Sequence, residues 1–272
     1  MRRLQMALAA VLIAGWMATG SCAKKERPVI AVVPKGQAHV FWQAVHAGAV
    51  AAGRDLGVDI LWNGPASEID FSRQIGIVDD FINRRVDGLV LAPAHGESLV
   101  PVVERANAEG IPVVILDSGI QTDRYVSYVS TDNYKGGATA AERMIEILPR
   151  GGNVAVLATI PGSVSTGERE KGFQETLARK APHIRIAAMQ YGMSDRAKSL
   201  AVAEDMLTAN PDLAAIFCSN ESGTIGAVQG AKSKGVAGKL KIIGFDSSPT
   251  VVEDLEAGLI DSLVVQNPFR MG

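Results

Sequence analysis

Four apolar runs in this chain end on a polar side chain: Trp62-Asn63, Leu116-Asp117, Ser219-Asn220 and Phe245-Asp246. In open parallel sheets the carboxyl ends of the strands line the ligand crevice, so such residues meet in one place if two sheets face each other. Carboxylates and amides at that rim suit hydroxyl groups. Taken singly, each is also a favoured helix N-cap, and Asn63 is read that way. Phe41 and Trp42 are adjacent, and neighbouring residues on a helix cannot both face the same core, so at least one lies toward the crevice. Flat apolar rings match the C–H face of a sugar, while charged and amide groups take its hydroxyls. Arg169, in Thr166-Gly-Glu-Arg-Glu-Lys-Gly-Phe173, stands at an expected helix start, where its guanidinium fork either grips two adjacent hydroxyls or pairs with Glu168 or Glu170. Lys35, at the end of the first apolar run, reaches the same cleft or stays exposed.

Nothing in this inventory forms a catalytic constellation. His39, His46, His95 and His183 are scattered, and the H-E-x-x-H, C-x-x-C, glycine-rich phosphate-loop and G-x-S-x-G patterns are absent. Asp117 and Asp246 have the types of an acid/base pair, but no third group is present to orient them. The expectation is a binding protein without cofactor or metal, not an enzyme.

The elements that must position these residues are short β-branched runs alternating with helix-length segments from Pro28 onward, the pattern of βαβ units and parallel sheets. Between the first two runs Phe41, Val45, Ala49, Ala52 and Leu56 recur at helical spacing, and Gly57 stops the helix. The chain also repeats itself. Asp87-Gly-Leu-Val-Leu-Ala-Pro, a helix ending at Gly110 and Val113 to Ser118 parallel Asp212-Leu-Ala-Ala-Ile-Phe-Cys, a helix ending at Gly235 and Lys241 to Ser247. The fold class is therefore α/β: two doubly wound parallel-sheet lobes joined by hinge crossovers, one over 28–130 and the other over 131–265, with 266–272 returning to the first.

Composition agrees with two such units. The chain has 272 residues, 47% hydrophobic, enough to bury two cores. Its 27 basic and 29 acidic residues nearly cancel, which argues against a nucleic-acid partner and for a small neutral ligand. Arg2 and Arg3, an apolar run from Met6 to Met17 and small residues before Cys22 have the layout of an export signal. Gly20-Ser21-Cys22 fits a lipoprotein signal over residues 1–22 with acylation of Cys22, which implies an exported, lipid-anchored protein, periplasmic or on the outer face of the cytoplasmic membrane. Cleavage after Ala23 is the alternative. Only Cys218 remains beyond the signal, so no intramolecular disulfide forms, and its apolar surroundings mark it as an inert core residue.

Ala31-Val-Val-Pro-Lys-Gly with Val40-Phe-Trp, Asp87-Gly-Leu-Val-Leu-Ala-Pro, Gly110 to Ser118, Thr131-Asp-Asn-Tyr-Lys-Gly-Gly137, Glu168-Arg-Glu-Lys-Gly-Phe173, Phe217-Cys-Ser-Asn-Glu221, Gly244-Phe-Asp246 and Val265-Gln-Asn-Pro268 together resemble the ribose-binding-protein branch of the type I periplasmic binding proteins. The resemblance runs from Pro28 to the last residue. It implies an extracytoplasmic receptor of an ABC-type sugar uptake system, whose lobes close on a monosaccharide-like ligand and which then docks on a membrane permease. It implies that Phe41 and Trp42 sandwich the sugar, that Asp117 supplies the first carboxylate and Arg169 the arginine of the second lobe, and that Asn220, Asp246 and Gln266 complete the polar contacts. Ala92, Ser118 and Ser194 depart from the ribose pattern, standing where asparagine, arginine and an aromatic residue are usual. Lys35 with Asp117-Ser118 also resembles the receptors for the furanosyl signal autoinducer-2, so a quorum-signal or sugar-sensing receptor is the alternative. The lactose-repressor family shares the fold but begins with a DNA-binding motif where this chain carries an export signal. Family members continue past the glycine matching Gly272 with a further helix, so the resemblance also implies a segment beyond that residue.

Overall fold

A computed structural model describes residues 27–272; the export signal and Cys22 lie outside them. The first sheet holds β1 (Val29–Val33), β2 (Asp59–Trp62), β3 (Gly88–Leu91), β4 (Val113–Leu116) and β5 (Ser127–Val129), in the order β2-β1-β3-β4-β5. The second holds β6 (Gly152–Ala158), β7 (Ile184–Tyr191), β8 (Leu213–Cys218), β9 (Lys241–Phe245) and β10 (Ser262–Val264), in the order β10-β9-β8-β6-β7. Every pairing is parallel. Read from its other edge, the second order is the first repeated five strands later, and the internal similarity of the sequence is thus a duplicated α/β architecture.

Helices α1 (Val40–Leu56), α2 (Phe71–Asn83) and α3 (Val100–Ala108) serve the first sheet; α4 (Asn133–Ile147), α5 (Val164–Lys180), α6 (Arg196–Ala209), α7 (Glu221–Ser233) and α8 (Pro249–Glu256) serve the second. A short α9 (Pro268–Met271) follows β10 and packs on α1. The end of α1 obeys the sequence: Gly57 takes a left-handed backbone, φ 69°, and its N–H bonds the Gly53 carbonyl.

Alternation along the strands sorts the cores. In the second lobe Val154, Val156 and Ala158 of β6 face α4 and α5, while Ala155 and Leu157 face α6 and α7. In the first, Ala31 and Val33 of β1 join Leu89, Leu91, Val113 and Ile115 against α2 and α3. Trp42, Val45, Ala92 and Leu116 form a small cluster on the opposite face. Cys218, at the end of β8, is fully buried among apolar side chains, and burial pushes its thiol well above the usual range.

Candidate functional site

The duplication delivers two equivalent carboxylates. Asp117 follows β4 and Asp246 follows β9, corresponding strands of the two sheets. Each has a left-handed backbone, φ 59° and 74°, and each donates its N–H to the last residue pairing on the neighbouring strand, Val129 or Val264. Aspartate is among the few residues that tolerate this region, and held strain of this kind clusters at functional sites. The two acids face one interlobe cleft, lined also by Lys35, Phe41, Trp42, Arg169, Asn220 and Gln266.

On the first-lobe side, Lys35 is 4% exposed and its Nζ lies 3.0 Å from Asp117 Oδ2. The same ammonium donates across the cleft to Ser165 Oγ at 2.8 Å and Ser163 Oγ at 3.3 Å, so its three protons are all engaged. Phe41 and Trp42 meet edge to face, ring centroids 4.9 Å apart, and both line the cleft. Trp42 is at the same time a core residue, 2% exposed, and its Nε1 donates to Glu68 Oε1 at 2.7 Å. Ser118 is fully buried and does not line the cleft; its Oγ accepts from the Ser165 N–H at 3.1 Å, a second tie between lobes.

On the second-lobe side, Arg169 is 3% exposed. It lies in the second turn of α5, five residues past Val164, rather than at the helix start expected from the sequence. Its Nε donates to Asn133 Oδ1 at 2.8 Å, one Nη to the Ser219 carbonyl at 2.9 Å, and its guanidinium sits 4.0 Å above the Phe245 ring. Ion pairing with Glu168 or Glu170 is not what holds it. Gly137 and Gly172 make this possible: a Cβ at either would collide with the backbone of the opposite helix, at Arg169 and Tyr134. Asn220 caps a helix and also lines the cleft. Its Oδ1 caps α7 by accepting from Gly223 N at 2.9 Å, while Nδ2 donates to Ser194 Oγ at 3.0 Å. Gln266, in the second crossing between lobes, donates to Asp246 Oδ1 at 2.7 Å and accepts from Thr131 Oγ1, in the first crossing, at 2.7 Å.

Burial raises the pKa of Asp246, opposed by the positive charge of Arg169 and the Gln266 hydrogen bond. Glu170, 4% exposed behind the site, is also raised by burial, opposed by hydrogen bonds from Thr159 N and Ser219 Oγ. Asn63 neither lines the cleft nor caps a helix, since Asp70 caps α2. Sequence reasoning missed Glu68, His39, Ser165, Thr166 and Glu221, which complete the lining. Glu68 joins Trp42 to the far lobe by accepting from Ser194 Oγ at 2.9 Å, and His39 lies 3.3 Å from the same hydroxyl. Nothing in the loop Asn63 to Asp70 marks that carboxylate beforehand. Among the described residues no cluster of side chains suits a metal ion.

Two duplicated α/β lobes closing on a polar cleft with an aromatic floor define a two-lobed ligand receptor of the type I periplasmic binding protein fold. The sequence profile of the periplasmic binding protein domain matches residues 30–272, and the chain belongs to that family. It is 34% identical over 250 residues to the D-allose-binding periplasmic protein of Escherichia coli K12, covering 89% of this chain and 80% of that one. Among solved structures it is similar to the periplasmic component of an ABC-type sugar transport system from Hahella chejuensis, with a TM-score of 0.87, 35% identity and coverage of 90% and 89%. An ABC transporter solute binding protein from Agrobacterium vitis with bound D-fucose superposes with a TM-score of 0.86 at 36% identity, over 90% of this chain and 85% of that one.

Proposed function

We propose that this chain is the sugar receptor of an ABC-type uptake system, holding one monosaccharide-like ring between lobes 28–130 and 131–265 and presenting the closed form to a membrane permease. The observation that carries the reading is the pair of pseudo-equivalent carboxylates, Asp117 and Asp246, lining one cleft with Arg169, Asn220, Gln266, Phe41 and Trp42. Carboxylates and amides accept and donate to sugar hydroxyls, and the rings take the C–H face. Lys35 and Arg169 lie against Asp117 and Asp246, Glu221 pairs with Arg196 at 2.8 Å and Glu68 is held by the neutral donors Trp42 and Ser194, so the lining has no cation left free for an anionic ligand and suits a neutral one.

The relatives named above are periplasmic binding and transport proteins, which supports an exported receptor. We assign the attachment to acylated Cys22; Cys22→Ser should move the protein from the membrane fraction to a soluble or unprocessed form, and unchanged fractionation would remove the anchor from this picture. The ligand class is tested by a thermal-shift screen of pentoses, hexoses, polyols and amino sugars. A ligand at a hundred times its Kd should add about 2.7 kcal/mol of stability. A panel in which no sugar shifts the transition would overturn the assignment.

A further inference from the structure

Four successive residues at the start of α5 each touch the first lobe. The Gly162 carbonyl accepts from Gly96 N at 3.0 Å. Ser163 Oγ accepts from Lys35 Nζ at 3.3 Å, and Ser165 Oγ accepts from the same ammonium at 2.8 Å. Val164, between them, sets its methyl groups over Gly96 and Gly119, where a Cβ on either glycine would press into it. The Ser165 N–H donates to Ser118 Oγ at 3.1 Å. The helix that follows carries Arg169 into the cleft, so the contacts that fix this tip also place a cleft residue.

Ser163 is the N-cap of α5. Its backbone is extended, φ −75° and ψ 117°, and its carbonyl accepts the first helical bond from Gly167 N at 3.0 Å. In that conformation a serine hydroxyl ordinarily accepts from the amide two or three residues on. Asp132, Asp195 and Asn220 cap α4, α6 and α7 from the same position, yet the Ser163 side chain makes no such bond. Its hydroxyl is held by Lys35, and the amide two residues on, Ser165 N, is taken by Ser118 of the other lobe. Ser118, Ser163 and Ser165 are all buried, where an unpaired amide is costly.

Opening the lobes parts Ser118 from Ser165 and Lys35 from Ser163 together, since each bond joins one lobe to the other. The freed amide and the freed hydroxyl then stand two residues apart at a helix start, the arrangement of an ordinary serine cap. One amide thus has two alternative acceptors, one for each form. Neither form leaves the start of α5 bare, and the balance between the forms depends on which hydroxyl serves the helix better.

We propose that Ser118 and Ser163 are positioning residues that exchange as the cap of α5, Ser118 in the closed form and Ser163 in the open one, and so set ligand affinity from outside the cleft. The binding arm of the test rests on the sugar-receptor reading, and the unfolding arm does not. The full chain is titrated calorimetrically with D-allose, D-ribose, D-arabinose and D-fucose. Ser118→Ala should weaken the tightest of them about fivefold, the effect of losing a typical cap. Ser163→Ala removes the cap of the open form, so it should bind that sugar as tightly as the parent or up to about threefold more tightly. Two plain cross-lobe hydrogen bonds would instead weaken binding in both variants. In urea without ligand each single substitution leaves the other cap in reserve. The double variant should therefore lower the unfolding midpoint by more than the two single shifts added together. Weaker binding in both variants, or additive midpoint shifts, would overturn the exchange and leave the sugar receptor standing. If no sugar binds, the receptor reading falls, and the midpoint shifts alone decide the exchange: additive shifts overturn it, and a larger combined shift upholds it.

Discussion

The second lobe covers both faces of its sheet with large apolar cores, and Phe173 stacks on Phe217 with centroids 4.3 Å apart in one of them. The first lobe, with the same strand order, has its large core on one face and the small cluster of Trp42, Val45, Ala92 and Leu116 on the other. The site residues divide the same way. Arg169, Asn220 and Asp246 find partners within the second lobe or at Gln266, whereas Lys35, Ser118 and Glu68 complete theirs across the cleft at Ser163, Ser165 and Ser194. Equal topology thus does not give equal half-sites. The second lobe offers a preformed half-site, and the first completes its own polar contacts only when the lobes close.

The comparison is sharpened most by the interiors. Phe217→Ala should cost about 3–5 kcal/mol in urea unfolding, since it leaves a cavity under a stacked, fully buried ring. Val90→Ala, half-buried against the smaller first-lobe cluster on the corresponding strand, should cost about 1 kcal/mol. Similar losses at the two positions would erase the asymmetry. Next come the half-sites: Arg169→Ala and Asp246→Ala should each weaken binding of the best sugar by about 2 kcal/mol or more, because ligand hydroxyls lose a charged partner in a desolvated cleft. Ser165→Ala, which removes an acceptor that Lys35 uses only across the cleft, should weaken binding by about 1 kcal/mol. Small-angle scattering should show that variant more open with its unfolding midpoint unchanged, and a lowered midpoint would mean that Ser165 belongs to the second lobe's own stability.

The smallest effect is a pH dependence, and it belongs to the second lobe. Burial raises Asp246 and Glu170, so the native state holds their protons to higher pH than the unfolded chain does. Stability should therefore fall as pH climbs from the ordinary carboxylate range through the raised values, and recover as pH drops back. Asp246→Asn should flatten unfolding free energies measured across that window. If the slope is unchanged in Asp246→Asn and in Glu170→Gln, neither carboxyl is its source.

Much of this was legible in the sequence because it rests on local rules. β-branched runs bounded by glycine and proline marked the strands, the repeat from Asp87 and Asp212 exposed the duplication, and polar residues ending strands located Asp117, Asn220 and Asp246. Other features depend on distant parts of the chain. Glu68 enters the site only because its loop folds under Trp42, and Ser118 leaves it because the Ser165 backbone arrives to occupy its hydroxyl. Arg169 was found but placed a turn too early, since Ser163 begins α5 with no side-chain cap hydrogen bond.

The lone thiol of the described residues has a practical consequence. Cys218 is sealed in the core and held protonated, so alkylating reagents at neutral pH should pass it by. In a Cys22→Ser background, a cysteine introduced at exposed Ser67, on the lip facing Asp195 and Arg196, would be the one thiol that a dye can reach. An environment-sensitive fluorophore there would turn lobe closure into light, giving a single-label optical sensor without any protection or removal of the native core cysteine.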